Sequence, residues 1–135
     1  MTHDPAFLRR ARDLAREAAA AASVPILALF RRSDLAQERK GDGSVVTEAD
    51  QKAEAVIRAV LSAGMPEVGI LGEEEGDDGG DTPYRWVVDP IDGTISFSRG
   101  VPLFGTLIGL EHRASGEALV GVIQLPALGE CYHGG

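Results

Sequence analysis

Apolar residues recur at helical spacing along the first part of the chain, from Pro5 to about Phe30, while arginines and acidic residues fill the remaining positions. This pattern predicts a long amphipathic helix. Pro25 has no backbone N–H to donate, so it should kink this helix or begin a separate final turn. A second helix is predicted from about Thr47 to Leu61, because its apolar residues share one face and a glycine and a proline follow its end.

The spacing of apolar residues changes after the second helix. Short apolar runs predict strands at Val68–Leu71, Trp86–Val88, Phe104–Leu110 and Ala118–Ile123, of which the last two are rich in β-branched residues. A further short strand could occupy Glu130–His133. The third and fourth runs flank a polar, glycine-containing segment, which predicts an antiparallel hairpin. The polar stretch 39–46 predicts a loop or a loose hairpin, and the stretch 76–83 predicts a surface loop. Two helices followed by strands indicate an α+β fold, and 135 residues suffice for one domain.

The charge of the chain narrows its possible partners. Thirteen basic residues against twenty-one acidic residues give a formal net charge of −8, the wrong sign for gripping nucleic acid through its phosphates. A bound divalent cation can still bring an anionic substrate to such a protein. The sequence shows no export signal and no apolar segment suited to a membrane span, which predicts a cytoplasmic protein. Cys131 is the one cysteine, so no internal disulfide can form.

Four carboxylates stand near the ends of predicted elements: Asp50, Glu73, Asp89 and Asp92. Asp89 and Asp92 flank a predicted turn directly after a strand, which would aim both side chains at one point and leave the Ile91 carbonyl as a further oxygen ligand. Mg²⁺ prefers such all-oxygen sites, with one or two carboxylates, waters and a substrate phosphate. Glu73 would supply a third carboxylate from the neighbouring strand end.

Plainer interpretations exist for each of these carboxylates. The segment Asp89–Thr94 has the composition of an ordinary tight turn. Asp50 forms a capping box with Thr47, and Glu73 could belong to a solvated acidic run.

Gly93 and Thr94 could open a short helix that continues through Phe97, and backbone N–H groups at a helix start suit a phosphate.

Taken in order and spacing, three segments resemble the inositol monophosphatase family: Val46–Asp50, Leu71–Glu74 and Trp86–Thr94. Phe97, Gly100, Pro102 and Phe104 extend the match, as do Gly121–Ile123 and Pro126, so the resemblance covers nearly the whole chain. Phe104–Leu110 and Gly121–Glu130 are more similar to the histidinol-phosphatase branch than to the inositol branch. The resemblance implies two N-terminal helices packed on a mainly antiparallel sheet, as the N-terminal half of a layered α/β/α/β/α sugar-phosphatase fold.

The resemblance also implies a Mg²⁺-dependent phosphomonoester hydrolase with two or three ions in its complete site. Glu73, Asp89 and the Ile91 carbonyl would hold one Mg²⁺, and Asp89 with Asp92 would share a second. Asp50 and Thr94, together with Glu73, would orient and activate the attacking water. Asp92, Gly93 and Thr94 would contact the phosphate, and Lys40 matches a family lysine near the active site, although a solvated loop lysine is the alternative. The implied substrates are histidinol phosphate or myo-inositol monophosphate, and the family commonly forms homodimers.

Two departures from the family pattern limit this interpretation. The family's second metal takes another aspartate from a Trp-Asp pair, and the single tryptophan here, Trp86, precedes Val87. Ile95 stands where the histidinol-phosphatase branch has a basic or polar residue. Because the chain stops at Gly135 directly after a predicted strand, we expect a truncated chain, and the alternative function is an inactive fragment that binds metal or phosphate.

Overall fold

A computed structural model of the chain describes residues 3–40, 44–72 and 82–134, with side chains described over 3–30, 48–72 and 82–134. The elements follow the predicted order of two helices and then strands. They are α1 (Pro5–Lys40), α2 (Ser44–Gly64), β1 (Gly69–Leu71), β2 (Tyr84–Asp92), α3 (Thr94–Ser98), β3 (Gly105–His112), β4 (Ala118–Leu125) and β5 (Glu130–Gly134), with a 3-10 turn at Pro126–Leu128.

The strands form a five-stranded sheet in the order of the chain, β1-β2-β3-β4-β5. β1 pairs with β2 in parallel, and the three other pairings are antiparallel. The predicted hairpin joins β3 to β4, where the His112 N–H donates to the Glu117 carbonyl at 2.9 Å. The α+β class and the mainly antiparallel sheet are thus confirmed.

One face of the sheet packs against the helices. Inward side chains of the three central strands are buried, with Trp86 and Leu110 fully so. The opposite face carries partly exposed apolar side chains, including Val87, Ile123 and Tyr132. Helix α1 lies against β3 and β4, and α2 lies against β2, so the first two helices cover neighbouring parts of one sheet face.

Helix α1 is longer than predicted, ending at Lys40 rather than near Phe30, and it continues through Pro25. Of the two predicted effects of Pro25, a kink or a separate final turn, the separate final turn was therefore wrong. A proline inside a helix costs about 3 kcal/mol. Beyond it, Ile26 and Leu29 continue the buried stripe that Ala15 and Ala22 begin, and burying each large apolar side chain returns about 1.5–3 kcal/mol. Packing of the helix outweighs the missing hydrogen bond.

Helix α2 also exceeds its predicted bounds, because it begins at Ser44 and ends at Gly64. Thr47 consequently lies inside the helix, and its assignment to a capping box with Asp50 was wrong. No glycine or proline separates Ser44 from Thr47, so nothing in the local sequence stops the helix from starting earlier. Of the predicted loop 39–46, positions 39–40 and 44–46 are helical and 41–43 lie outside the described residues.

Candidate active site at the end of strand β2

The segment that follows Val88 is a continuation of β2 rather than the predicted turn. Asp89 pairs with Leu107 and Asp92 pairs with Gly105, so Pro90 and Ile91 together oppose Thr106 alone. Two residues facing one define a β-bulge. Proline is tolerated in strands at bulges, where its missing N–H interrupts no ladder bond. The Asp-Pro composition that suggested a turn therefore marks an irregularity inside a strand.

The bulge decides which way the two aspartates face. In a regular strand, residues three apart point to opposite sides of the sheet. The extra residue in the bulge shifts this alternation by one, so Asp89 and Asp92 lie on the same side, away from Trp86 and Val88. Burial agrees with this geometry, since Asp89 is half-buried and Asp92 exposed while Pro90 and Ile91 between them are both buried.

A buried hydroxyl holds the centre of the bulge. Thr106 has no exposed surface, and its Oγ1 donates to the Pro90 carbonyl at 2.8 Å. The sequence analysis did not single out Thr106. The available signal was a hydroxyl side chain in the otherwise apolar run Phe104–Leu110, most of which lies in β3.

Helix α3 begins immediately after the bulge, as predicted. Gly93 precedes it with a φ of 89°, a left-handed conformation that favours glycine, and the Phe97 N–H donates to the Gly93 carbonyl at 3.0 Å. Phe97 is buried, with ring centroids 5.5 Å from Phe30 and 5.0 Å from Phe104. These aromatic contacts fix the short helix against α1 and the start of β3, and they leave Gly93 and Thr94 exposed beside Asp92.

Asp50 is on a different element. It lies in α2 with a relative exposure of 7%, and α2 packs against both β2 and α3. One turn later, the fully buried Glu54 accepts a hydrogen bond from Arg58 Nε at 3.0 Å. The Glu54 carboxylate occupies the space beside Gly72, where a Cβ would lie 2.5 Å from its Oε2. Sequence analysis missed Glu54, although Asp50, Glu54 and Arg58 recur every four residues along one helix face.

Two predicted site residues lie wholly or partly outside the described residues. Glu73 lies outside the described residues, directly after Gly72 at the end of β1. Lys40 is the last residue of α1 rather than part of a loop, and its side chain is outside the description. Within the described ranges, no three acidic, histidine or cysteine side chains form a group that could hold a metal ion.

The remaining donors nevertheless suit Mg²⁺. Asp89 and Asp92 offer carboxylate oxygens on one side of the sheet, with the Ile91 carbonyl between them in the chain. Mg²⁺ is typically bound by one or two carboxylates, with water and phosphate oxygens completing its octahedron. The donor set of the bulge therefore fits this ion.

The fold and this bulge define a class of protein, an α+β unit that presents paired carboxylates from a strand end next to a helix start. Comparison with known proteins identifies the family within this class. The sequence profile of the inositol monophosphatase family matches residues 8–135. The chain belongs to the inositol monophosphatase family.

Similar proteins carry two different names. A histidinol-phosphatase of Chlorobaculum parvum is 46% identical over 119 residues, which are 88% of this chain and 45% of that protein. An inositol-1-monophosphatase of Mesorhizobium japonicum is 48% identical over 94 residues, 69% of this chain and 35% of that protein. The structure of an inositol monophosphatase from Anabaena superposes with a TM-score of 0.78 at 32% identity, over 95% of this chain and 44% of that one. The chain spans less than half the length of these relatives, which is consistent with the predicted N-terminal half.

Proposed function

We propose that this chain supplies the metal-binding part of a Mg²⁺-dependent phosphomonoester hydrolase. The observation that carries the proposal is the bulge in β2, which puts Asp89 and Asp92 on one side of the sheet directly before helix α3. Membership of a phosphatase family supports the same conclusion.

In this proposal the ligands form two metal sites. Glu73, Asp89 and the Ile91 carbonyl would hold one Mg²⁺, and Asp89 together with Asp92 would hold a second. When bound, Mg²⁺ neutralises the phosphate dianion and increases the acidity of the attacking water. Phosphoryl transfer otherwise depends on positioning and electrostatics.

The remaining proposed residues handle water and phosphate. Asp50, a buried carboxylate of α2, would accept a hydrogen bond from the attacking water and orient it, with the Thr94 hydroxyl as its partner. Gly93 and Thr94 are exposed beside Asp92, where they can contact the phosphate. Lys40 provides a positive charge near the substrate.

We further propose histidinol phosphate as the first substrate to test and myo-inositol monophosphate as the second. Both names occur among similar proteins, with identities of 46% and 48%. Ile95, the departure from the histidinol-phosphatase branch, is 69% exposed beside Thr94, which is the reason to assay both substrates side by side. No helix in the described ranges is long and apolar enough to cross a membrane. The cytoplasmic location and the homodimer stay predictions.

The decisive assay measures phosphate release from both substrates with Mg²⁺, using the 135-residue chain and a longer polypeptide that contains it. Asp89→Asn should lower kcat at least about 100-fold, because an amide oxygen replaces a charged ligand of the metal. Asp13→Asn is the matched control, since its carboxylate is exposed in α1. Release that is undetectable from both polypeptides, or unchanged in Asp89→Asn, would contradict the proposal.

A second candidate is a module that binds Mg²⁺ and phosphate without turnover. The coverage of less than half of each relative favours it for the chain by itself. The phosphate-release assay distinguishes the two candidates, because calorimetry would show Mg²⁺ binding by both and only the hydrolase releases phosphate.

A further inference from the structure

We propose that Thr106 is a positioning residue for the metal ligands in the β2 bulge. The inference rests on the proposed Mg²⁺ site and names a residue that acts on it from the neighbouring strand. Thr106 is the one residue of β3 that faces Pro90 and Ile91, and its hydroxyl donates to the Pro90 carbonyl at 2.8 Å.

The Pro90 carbonyl needs this partner because of where it lies. Both Pro90 and Thr106 are buried, and the register gives no strand partner to Pro90 or Ile91. A buried carbonyl without a hydrogen bond is costly, so the backbone would rotate to find water or another donor. Such a rotation changes the peptide between Pro90 and Ile91, and it therefore re-aims the Ile91 carbonyl and the Asp92 side chain.

The choice of side chain at position 106 supports a specific role. Thr106 shares the inward side of β3 with Ile108 and Leu110, both buried and apolar. A valine there would fill the same volume without burying a hydroxyl, so packing alone does not require threonine. The hydrogen bond to the Pro90 carbonyl explains why a hydroxyl is present at this buried position.

The test compares Thr106→Val, which removes the hydroxyl at nearly constant volume, with Thr106→Ser, which keeps it. Thr82→Val is the matched control, because Thr82 Oγ1 donates to the Tyr84 carbonyl at 3.1 Å at the other end of β2. Mg²⁺ affinity is measured by calorimetry, and the thermal unfolding midpoint is measured on the same samples. We expect Thr106→Val to bind Mg²⁺ about 10- to 100-fold more weakly and Thr106→Ser to stay within about threefold of the original chain.

A purely structural role gives a different result. If Thr106→Val and Thr82→Val both lower the unfolding midpoint and leave Mg²⁺ affinity unchanged, Thr106 does not position the ligands and the inference is wrong. It is equally wrong if Thr106→Ser fails to retain affinity while it folds normally.

Failure of the proposed function is recognised separately. If the original chain binds no Mg²⁺, the metal site is refuted, and the role of Thr106 is then read from backbone NMR. Thr106→Val should shift the amide resonances of Ile91, Asp92 and Gly93, whereas Thr82→Val should leave them in place. Unshifted amides in Thr106→Val would overturn the positioning role without reference to metal.

Discussion

At the scale of single residues, the contact between Glu54 and Gly72 couples helix α2 to the end of β1. The Glu54 side chain is 1% exposed and is held by Arg58, whose own side chain is 14% exposed. A buried carboxylate with a charged partner cannot move without leaving the partner's charge uncompensated. Gly72 has no side chain, and this absence makes room for the carboxylate.

We expect Gly72→Ala to reduce the free energy of unfolding by about 1–3 kcal/mol, because the new Cβ would lie 2.5 Å from Glu54 Oε2. Urea denaturation measures the change. Gly109→Ala is the control in the same sheet, since its Cβ would meet the Val120 carbonyl at an ordinary 3.5 Å. Equal effects in the two variants would show that the Glu54 carboxylate moves aside freely.

The types of residue in the candidate site could be predicted from the sequence more fully than their positions in space. The acidic residue types and the nearby glycine pointed to Asp89 and Asp92, and the structure places both on one side of the sheet. The two side chains point to the same side because of the bulge opposite Thr106. The bulge arises from the pairing of β2 with β3, and the spacing of residues along the sequence does not reveal it. Glu54 was missed for a similar reason, because its carboxylate matters through Gly72 on another element.

At the scale of elements, the five-residue helix α3 depends on how the chain enters it. Gly93 combines a φ of +89° with a close approach, since a Cβ there would lie 2.9 Å from the Leu103 carbonyl. The backbone of Leu103 cannot yield as a side-chain tip can. The start of α3 is therefore fixed by Gly93 on one side and by the Phe97 contacts on the other.

Gly93→Ala should lower the free energy of unfolding by more than Gly116→Ala. Gly116 has a φ of +72° with no atom near its Cβ position, so alanine there costs about 1–2 kcal/mol for the left-handed conformation alone. At Gly93 the backbone clash adds roughly 1–3 kcal/mol. Chemical denaturation of the two variants gives the difference, and equal losses would mean that the Leu103 backbone shifts without cost.

The types of element could be predicted well, and their ends less well. Periodicity identified both long helices, the strands β3 and β4 appear where apolar runs predicted them, and β5 appears at the further short strand predicted at Glu130–His133. Pro25 and Pro90 led to wrong predicted ends for α1 and β2 for the same reason. Each is tolerated by tertiary structure, Pro25 through the packing of α1 and Pro90 through the bulge, and neither effect is visible in local composition.

At the scale of the whole molecule, a net charge of −8 makes any added cation stabilising to some degree. Binding of Mg²⁺ at a specific site must be separated from this non-specific screening of negative charge. An ion that binds only the folded chain stabilises it by RT ln(1 + [Mg²⁺]/Kd), which above saturation is about 1.4 kcal/mol per tenfold increase in Mg²⁺ for each ion bound. Screening gives no such slope and depends on ionic strength alone.

The slope of unfolding free energy against the logarithm of Mg²⁺ concentration therefore counts the ions. We expect about 1.4 kcal/mol per tenfold increase if one ion binds and about 2.8 if two bind, with NaCl at equal ionic strength as the control. Asp89→Asn should abolish the slope, because Asp89 is proposed as a ligand of both ions. Asp92→Asn should reduce a two-ion slope to that of one ion, since Asp92 is proposed to contact only the second. A slope that persists in Asp89→Asn, or one that NaCl reproduces, would mean that Mg²⁺ acts on the charge of the whole chain and not at the β2 bulge.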